Sequence, residues 1–214
     1  MKKILFITAG IIVAFCLTLS ACSKDKFSEP TTNKPEEEIH ATRYEPDEPD
    51  TSEGEKRTLV TYYSHSGNTH TIAGCIKDAL ESDIVRIETA VPYPESYDEH
   101  LAQAREEAAS GYHPELVTHI KNIRDYDVIF VGFPIWVETA APPIASFLAS
   151  HDLSGKTVVP FCTSGTRSAE ASYRLVRSLC PNSTVLEGIQ IWRGTYDTAH
   201  DRVIDWLRDL GMIK

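Results

Sequence analysis

Basic residues are scarce: the 214-residue chain has 21 Lys and Arg against 31 Asp and Glu, a formal charge of −10. So acidic a chain repels a phosphate backbone, which removes nucleic acid from its candidate partners. Long apolar runs are lacking too. The uncharged run from Ile4 to Leu19 falls short of the roughly 20 residues that span a bilayer, and no stop-transfer charges follow it at once. Cysteine is sparse: beyond Cys16 and Cys22 only Cys75, Cys162 and Cys180 remain, an odd number that argues against a disulfide framework. A single bridge between Cys162 and Cys180 stays open beside the simpler reading of buried thiols.

Several catalytic signatures are missing as well. No G-x-S-x-G elbow accompanies Ser64 and Ser66 beside His65, so a hydrolase is disfavoured. His65, His70, His113 and His119 have no metal-ligand spacing. The loop at 64–69 has neither the Gly-Lys-Ser/Thr ending of a nucleoside-triphosphate loop nor the three glycines of a dinucleotide fingerprint.

What is present divides the chain into three. The leader opens with Lys2 and Lys3, continues through the apolar run and closes on Ser20 and Ala21 before Cys22, the order of a secretory signal. The string LSAC at 19–22 resembles the bacterial lipobox. It makes residues 1–21 a lipoprotein signal peptide and Cys22 the lipidated first residue of an exported protein, anchored to a membrane of the cell envelope. Residues 22–57 carry EEE at 36–38 and PDEPD at 46–50 with few apolar side chains to offset ordering entropy, the composition of an acidic, disordered tether.

From residue 58 short β-branched runs alternate with helical stretches. TLVTYY (58–63) precedes 69–81, DIVRIE (83–88) precedes 97–109 and DVIFVG (127–132) precedes 142–150; TVVPFC (157–162) precedes 169–179 and STVLEGIQI (183–191) precedes 198–210. Five strand–helix units specify one α/β domain, 58–214. DVIFVG and TVVPFC are apolar on both faces, as central parallel strands covered by helices are. The last helix lines Val203, Ile204, Leu207 and Leu210 along one face. The acidic stretch from Glu95 to Glu107 reads as a solvated helix face, with docking of a basic redox partner as its second reading.

In a doubly wound sheet, ligands sit beyond the carboxyl ends of the strands where the winding direction reverses. That places the chemistry on the loops SHSGNT (64–69), FPIWVETA (133–140) and TSGTRS (163–168). The first offers the hydroxyls of Ser64, Ser66 and Thr69, a permissive Gly67, Asn68, and a helix start whose free amides attract an anion. No Lys or Arg lies between Ser64 and Ile76. The loop therefore suits one phosphate held by amides and hydroxyls, not a triphosphate with magnesium.

SHSGNT resembles the flavodoxin loop that holds the phosphate of FMN. PYPESYDEH (92–100), DVIFVGFPIW (127–136), DLSGKTVVPFCTSG (152–165) and LCPNSTVLEG (179–188) extend the resemblance to bacterial flavodoxin-like proteins over nearly the whole domain. It implies a five-stranded parallel sheet in the order 2-1-3-4-5 with helices on both faces. It also implies that Ser64, Ser66, Gly67, Asn68 and Thr69 hold the FMN phosphate and that Pro134, Ile135 and Trp136 flank the isoalloxazine. Thr163, Ser164 and Gly165 would wrap the ring's other side and the ribityl chain. Core packing of the Trp and ordinary strand-to-helix caps are the structural alternatives for the same residues.

The sequence departs from the family in two places: Val137, Glu138 and Thr139 stand where a second aromatic and a Gly are frequent, and Thr166, Arg167 and Ser168 where glycines are. A residue with a β-carbon flips its peptide beside a flavin at greater cost than Gly, which predicts weak stabilisation of half-reduced flavin. Glu138 would disfavour and Arg167 favour a negatively charged reduced flavin, unless both are plain surface charges.

Three functions remain: a lipid-anchored FMN protein carrying electrons to a redox-partner protein or small-molecule acceptor, an FMN-dependent NAD(P)H quinone or small-molecule reductase, and a binding module of this fold without flavin. In the first two the cofactor carries the chemistry, and no residue serves as nucleophile or general base.

Overall fold

Apolar residues at successive positions of the inner strands demand cover on both sides, and the computed structural model supplies it. Residues 56–196 and 198–214 are described; the leader, Cys22 and the tether up to residue 55 lie outside the described residues. The strands are β1 (Thr58–Tyr62), β2 (Asp83–Arg86), β3 (Val128–Trp136), β4 (Thr139–Ala140), β5 (Thr157–Ser164), β6 (Thr184–Val185) and β7 (Ile189–Trp192). The helices are α1 (Asn68–Leu80), α2 (Tyr97–Ser110), α3 (Pro142–Ser150), α4 (Glu170–Leu179) and α5 (Ala199–Asp209). The sheet runs β2-β1-β3-β5, with β6 and β7 both pairing with β5, and every pairing is parallel except β3 with β4. This is the expected 2-1-3-4-5 order, its fifth strand divided into β6 and β7.

The division has a physical cause. Thr157 pairs with Thr184 and Val158 with Val185, but Phe161 pairs with Ile189, so residues 186–188 oppose only 159 and 160. This is a bulge, and it falls at Pro160, which has no amide to donate to the ladder. Gly188 sits in it because a Cβ there would lie 2.5 Å from the Pro160 carbonyl oxygen and 2.7 Å from the Tyr173 ring.

Alternation sends Val60, Phe130, Val159, Phe161 and Ile191 to one face, against Ile72 and Ile76 of α1 and Val203 and Leu207 of α5. Leu59, Ile129, Val131, Phe133 and Cys162 go to the other, against Ile144 and Phe147 of α3 and Val176 of α4. On α5 the inward face is Val203 and Leu207, with Ile204 and Leu210 half-buried at its edge. Arg57, assigned to the tether by composition, belongs to the domain: its carbonyl accepts from the amides of Asp127 and Val128, and its guanidinium lies 4.9 Å from the Tyr126 ring centroid. Cys75, Cys162 and Cys180 are all free thiols. Among the described residues no helix is long and apolar enough to cross a membrane.

Candidate functional site

After β1 the chain pairs outward to β2 and then returns to β3, so the winding reverses between β1 and β3. The crevice beyond their carboxyl ends is where SHSGNT lies. Gly67 caps α1 with φ +87, a left-handed conformation that favours glycine, and has no side chain of its own to cap the helix. Ser64 is buried, and its Oγ accepts from the His70 amide at 3.3 Å; Asn68 Nδ2 donates to Ser66 Oγ at 3.0 Å. Five successive amides, those of His65, Ser66, Gly67, Asn68 and Thr69, donate no hydrogen bond within the described residues. Such a run of unpaired N–H groups at a helix start is a nest for an anion.

The three loops singled out by position meet. Buried Thr69 and Thr163 share a hydrogen bond between their hydroxyls at 2.9 Å, joining the loops after β1 and β5. Pro134 is the register partner of Thr163. Arg167 Nη1 lies 2.6 Å from Glu138 Oε1, joining the loops after β3 and β5 at the surface. The two charges expected to shift the reduction of a flavin in opposite directions are thus paired with each other.

Not every residue is free for a ligand. Ser164 Oγ donates to the Arg167 carbonyl at 2.8 Å and accepts from the Arg167 amide at 2.9 Å, so this hydroxyl staples its own turn. Gly165 is exposed, with the Arg193 guanidinium 3.6 Å from where its Cβ would be. The strand through Pro134, Ile135 and Trp136 runs further than the apolar run DVIFVG indicates and folds back as a hairpin: Trp136 pairs with Thr139 and Ile135 with Ala140. Its two-residue turn places Val137 at φ +56, a conformation that is an outlier for a β-branched residue. The glycine that the resemblance leads one to expect near this turn is absent, and Val137 itself takes the left-handed geometry.

Trp136 is caged by rings that sequence reasoning did not assign to the site. Its ring centroid lies 4.1 Å from His100, 4.8 Å from Tyr93, 5.5 Å from Tyr63 and 5.9 Å from His65, all at steep edge-to-face angles. His65 and His100 lie 4.3 Å apart. The buried His100 Nε2 has no hydrogen-bond partner, and burial with the neighbouring His65 lowers the His100 pKa to about 4. Burial raises the Tyr63 and Tyr93 hydroxyls, and the Glu107 carboxylate raises Tyr93 further. Tyr93 and His100 stand in PYPESYDEH, a string that marks the family but shows nothing of its inward-facing side until the chain folds.

Glu95, Asp98, Glu99, Arg105 and Glu106 are exposed, so the acidic stretch 95–107 is a solvated face except at Glu107. Glu107 is 6% exposed, accepting from the Tyr93 hydroxyl at 2.6 Å and from Gln103 Nε2 at 2.8 Å. Beside the nest a cleft of about 310 Å³ is lined by Tyr63, Ser64, His65, Arg86, Glu88 and Tyr93, among others. Arg86, at the end of β2, has no sequence signal; only the parallel pairing of Arg86 with Tyr62 brings it to the loop. Among the described residues no group of three His, Cys, Asp or Glu could hold a metal ion.

The donor set fits FMN: unpaired amides for a phosphate, hydroxyls and a strand edge for a ribityl chain, and Trp136 for a planar ring. No curated protein matches the chain. Among solved structures it resembles a candidate flavoprotein from Bacteroides eggerthii, with 30% identity over 75% of this chain and all of that one and a TM-score of 0.66. A second candidate flavoprotein, from Bacteroides uniformis, is 27% identical over 72% of this chain and 98% of its own, with a TM-score of 0.65. A flavoprotein from Lactobacillus acidophilus solved in complex with FMN shares the fold at 22% identity and a TM-score of 0.58, covering 70% of this chain and 99% of that one. The family model for flavodoxin matches residues 57–210, the span of the α/β unit itself. The chain belongs to the flavodoxin family.

Proposed function

We propose that the protein binds FMN non-covalently and works as an electron carrier held to a bacterial envelope membrane through lipidated Cys22. The observation that carries the cofactor reading is the run of unpaired amides from His65 to Thr69 at the strand-order reversal. These N–H groups, with the Ser66 and Thr69 hydroxyls, would bind the phosphate. Thr163 and the Pro134–Ile135 edge would line the ribityl chain, and Trp136 would flank the ring. When bound, FMN supplies one- and two-electron redox chemistry. The chain's residues bind it, orient it and keep water from one side of the ring. The FMN held by the Lactobacillus relative supports the reading.

The test is a titration of the flavin-free full chain with FMN and with riboflavin. Tight FMN binding and much weaker riboflavin binding are expected; equal affinities, or none, would remove the phosphate loop from the account. A carrier, moreover, is oxidised and reduced by a partner protein and does not by itself consume NAD(P)H in the presence of quinones. Steady nicotinamide turnover would replace the carrier with a reductase.

A further inference from the structure

The phosphate loop carries no positive side chain of its own: SHSGNT has no Lys or Arg as far as Ile76. We propose that Arg86, 22 residues away at the end of β2, is the positioning residue and the missing positive charge of the phosphate loop. The proposal rests on the FMN reading above.

Arg86 Nη2 donates to the Ser64 carbonyl oxygen at 2.9 Å. That peptide is planar and trans, so its C=O and the following N–H point in opposite directions. β1 lies between β2 and β3. Holding the Ser64 carbonyl toward β2 turns the His65 N–H the other way, toward β3. Arg86 thereby orients the unpaired His65 amide. The same hydrogen bond keeps a guanidinium against the outer side of the loop, where its full charge adds to the helix-terminus field that attracts the phosphate. Its carboxylate neighbour, Glu88, lies 4.0 Å from Nε with both side chains more than half exposed, a loose pair that offsets the guanidinium's charge only in part.

A guanidinium that acts on the phosphate distinguishes FMN from riboflavin, whereas one that merely braces the fold affects both ligands or neither. The experiment measures both affinities for the wild-type full chain and for Arg86→Gln, Arg86→Lys and Glu88→Gln, at low and at moderate salt. Loss of a charge-assisted contact predicts about a tenfold weaker FMN affinity in Arg86→Gln with riboflavin affinity unchanged, and a shallower salt dependence. Arg86→Lys should restore part of the preference through its charge. Removing the competing carboxylate in Glu88→Gln should raise the preference for FMN about twofold, and this variant decides the matter if Arg86→Gln does not fold.

An unchanged FMN-to-riboflavin ratio in Arg86→Gln, or equal loss of both ligands, overturns the role of Arg86 and leaves the phosphate loop standing. Without folded Arg86→Gln, an unchanged ratio in Glu88→Gln does the same. Wild-type protein with no preference for FMN overturns the loop assignment and this inference with it.

Discussion

Val137 holds a left-handed φ of +56 at the tip of the hairpin beside the candidate ring site, where its branched β-carbon crowds the backbone. Val137→Gly should stabilise the fold by about 1 kcal/mol, relief of that strain outweighing the added freedom of the unfolded chain. A shift of the urea midpoint to lower concentration would show the turn to be unstrained. His100 makes a pH prediction. Its folded pKa is about 4 against an ordinary 6.5, so the unfolded chain takes up the proton first. Its contribution to stability is therefore complete above about pH 6.5 and is lost as the pH falls through 6.5 toward 4. His100→Phe keeps a ring against Trp136 without a titrating group and should lose less stability than wild type between pH 7 and pH 5; parallel losses in the two proteins would exclude His100 as the cause. Cys162 is fully buried and its thiol is pushed up to about 12 by that burial, so it should resist thiol reagents in the native state and react only after unfolding.

The bulge opposite Pro160 is a device of the element scale. Pro160 leaves its ladder position without a donor, three residues bow around it, and Gly188 is the one whose missing side chain admits the Pro160 carbonyl and the Tyr173 ring. Gly188→Ala should destabilise the domain by about 2 kcal/mol, since the obstacle is in part backbone and cannot rotate away. An unaltered denaturation midpoint would mean that the β6–β7 segment shifts freely. The Arg167–Glu138 pair joins two elements, but at the surface. A double-mutant cycle on the two residues should return a coupling of less than about 1 kcal/mol in stability. Reading element by element, the strand cores and helices were legible from alternation and helical spacing, to within a residue or two for most. The hairpin after β3 was not, because its second strand is only two residues long, and the bulge was not, because an unbroken apolar run carries no sign of its partner's register.

At the scale of the whole molecule the composition changes along the chain, from an apolar N-terminal run through an acidic stretch to the α/β unit that the family model matches from residue 57. If Cys22 carries the anchor, Cys22→Ala should move the protein from the membrane fraction to the soluble one, with the N-terminal mass of the wild type showing the acyl modification. Retention of the variant on the membrane would assign the attachment to another segment. The net charge of −10 belongs to this scale too and favours a basic partner over an acidic one.

By itself the sequence determined the class of this protein, because hydrophobic periodicity and turn chemistry are local: five strand–helix units, a glycine at the start of α1, a loop of hydroxyls without cations, and a Trp closing the third strand. Only the tertiary structure decided which distant groups complete that loop and that Trp. Arg86 reaches Ser64 through strand pairing, Tyr93 and His100 reach Trp136 through the packing of α2 and the segment before it, and Glu138 meets Arg167 across two loops. Each of these contacts joins residues at least 22 positions apart in the chain, beyond the reach of any local pattern. They exist only because the order of the strands brings the ends of the elements together.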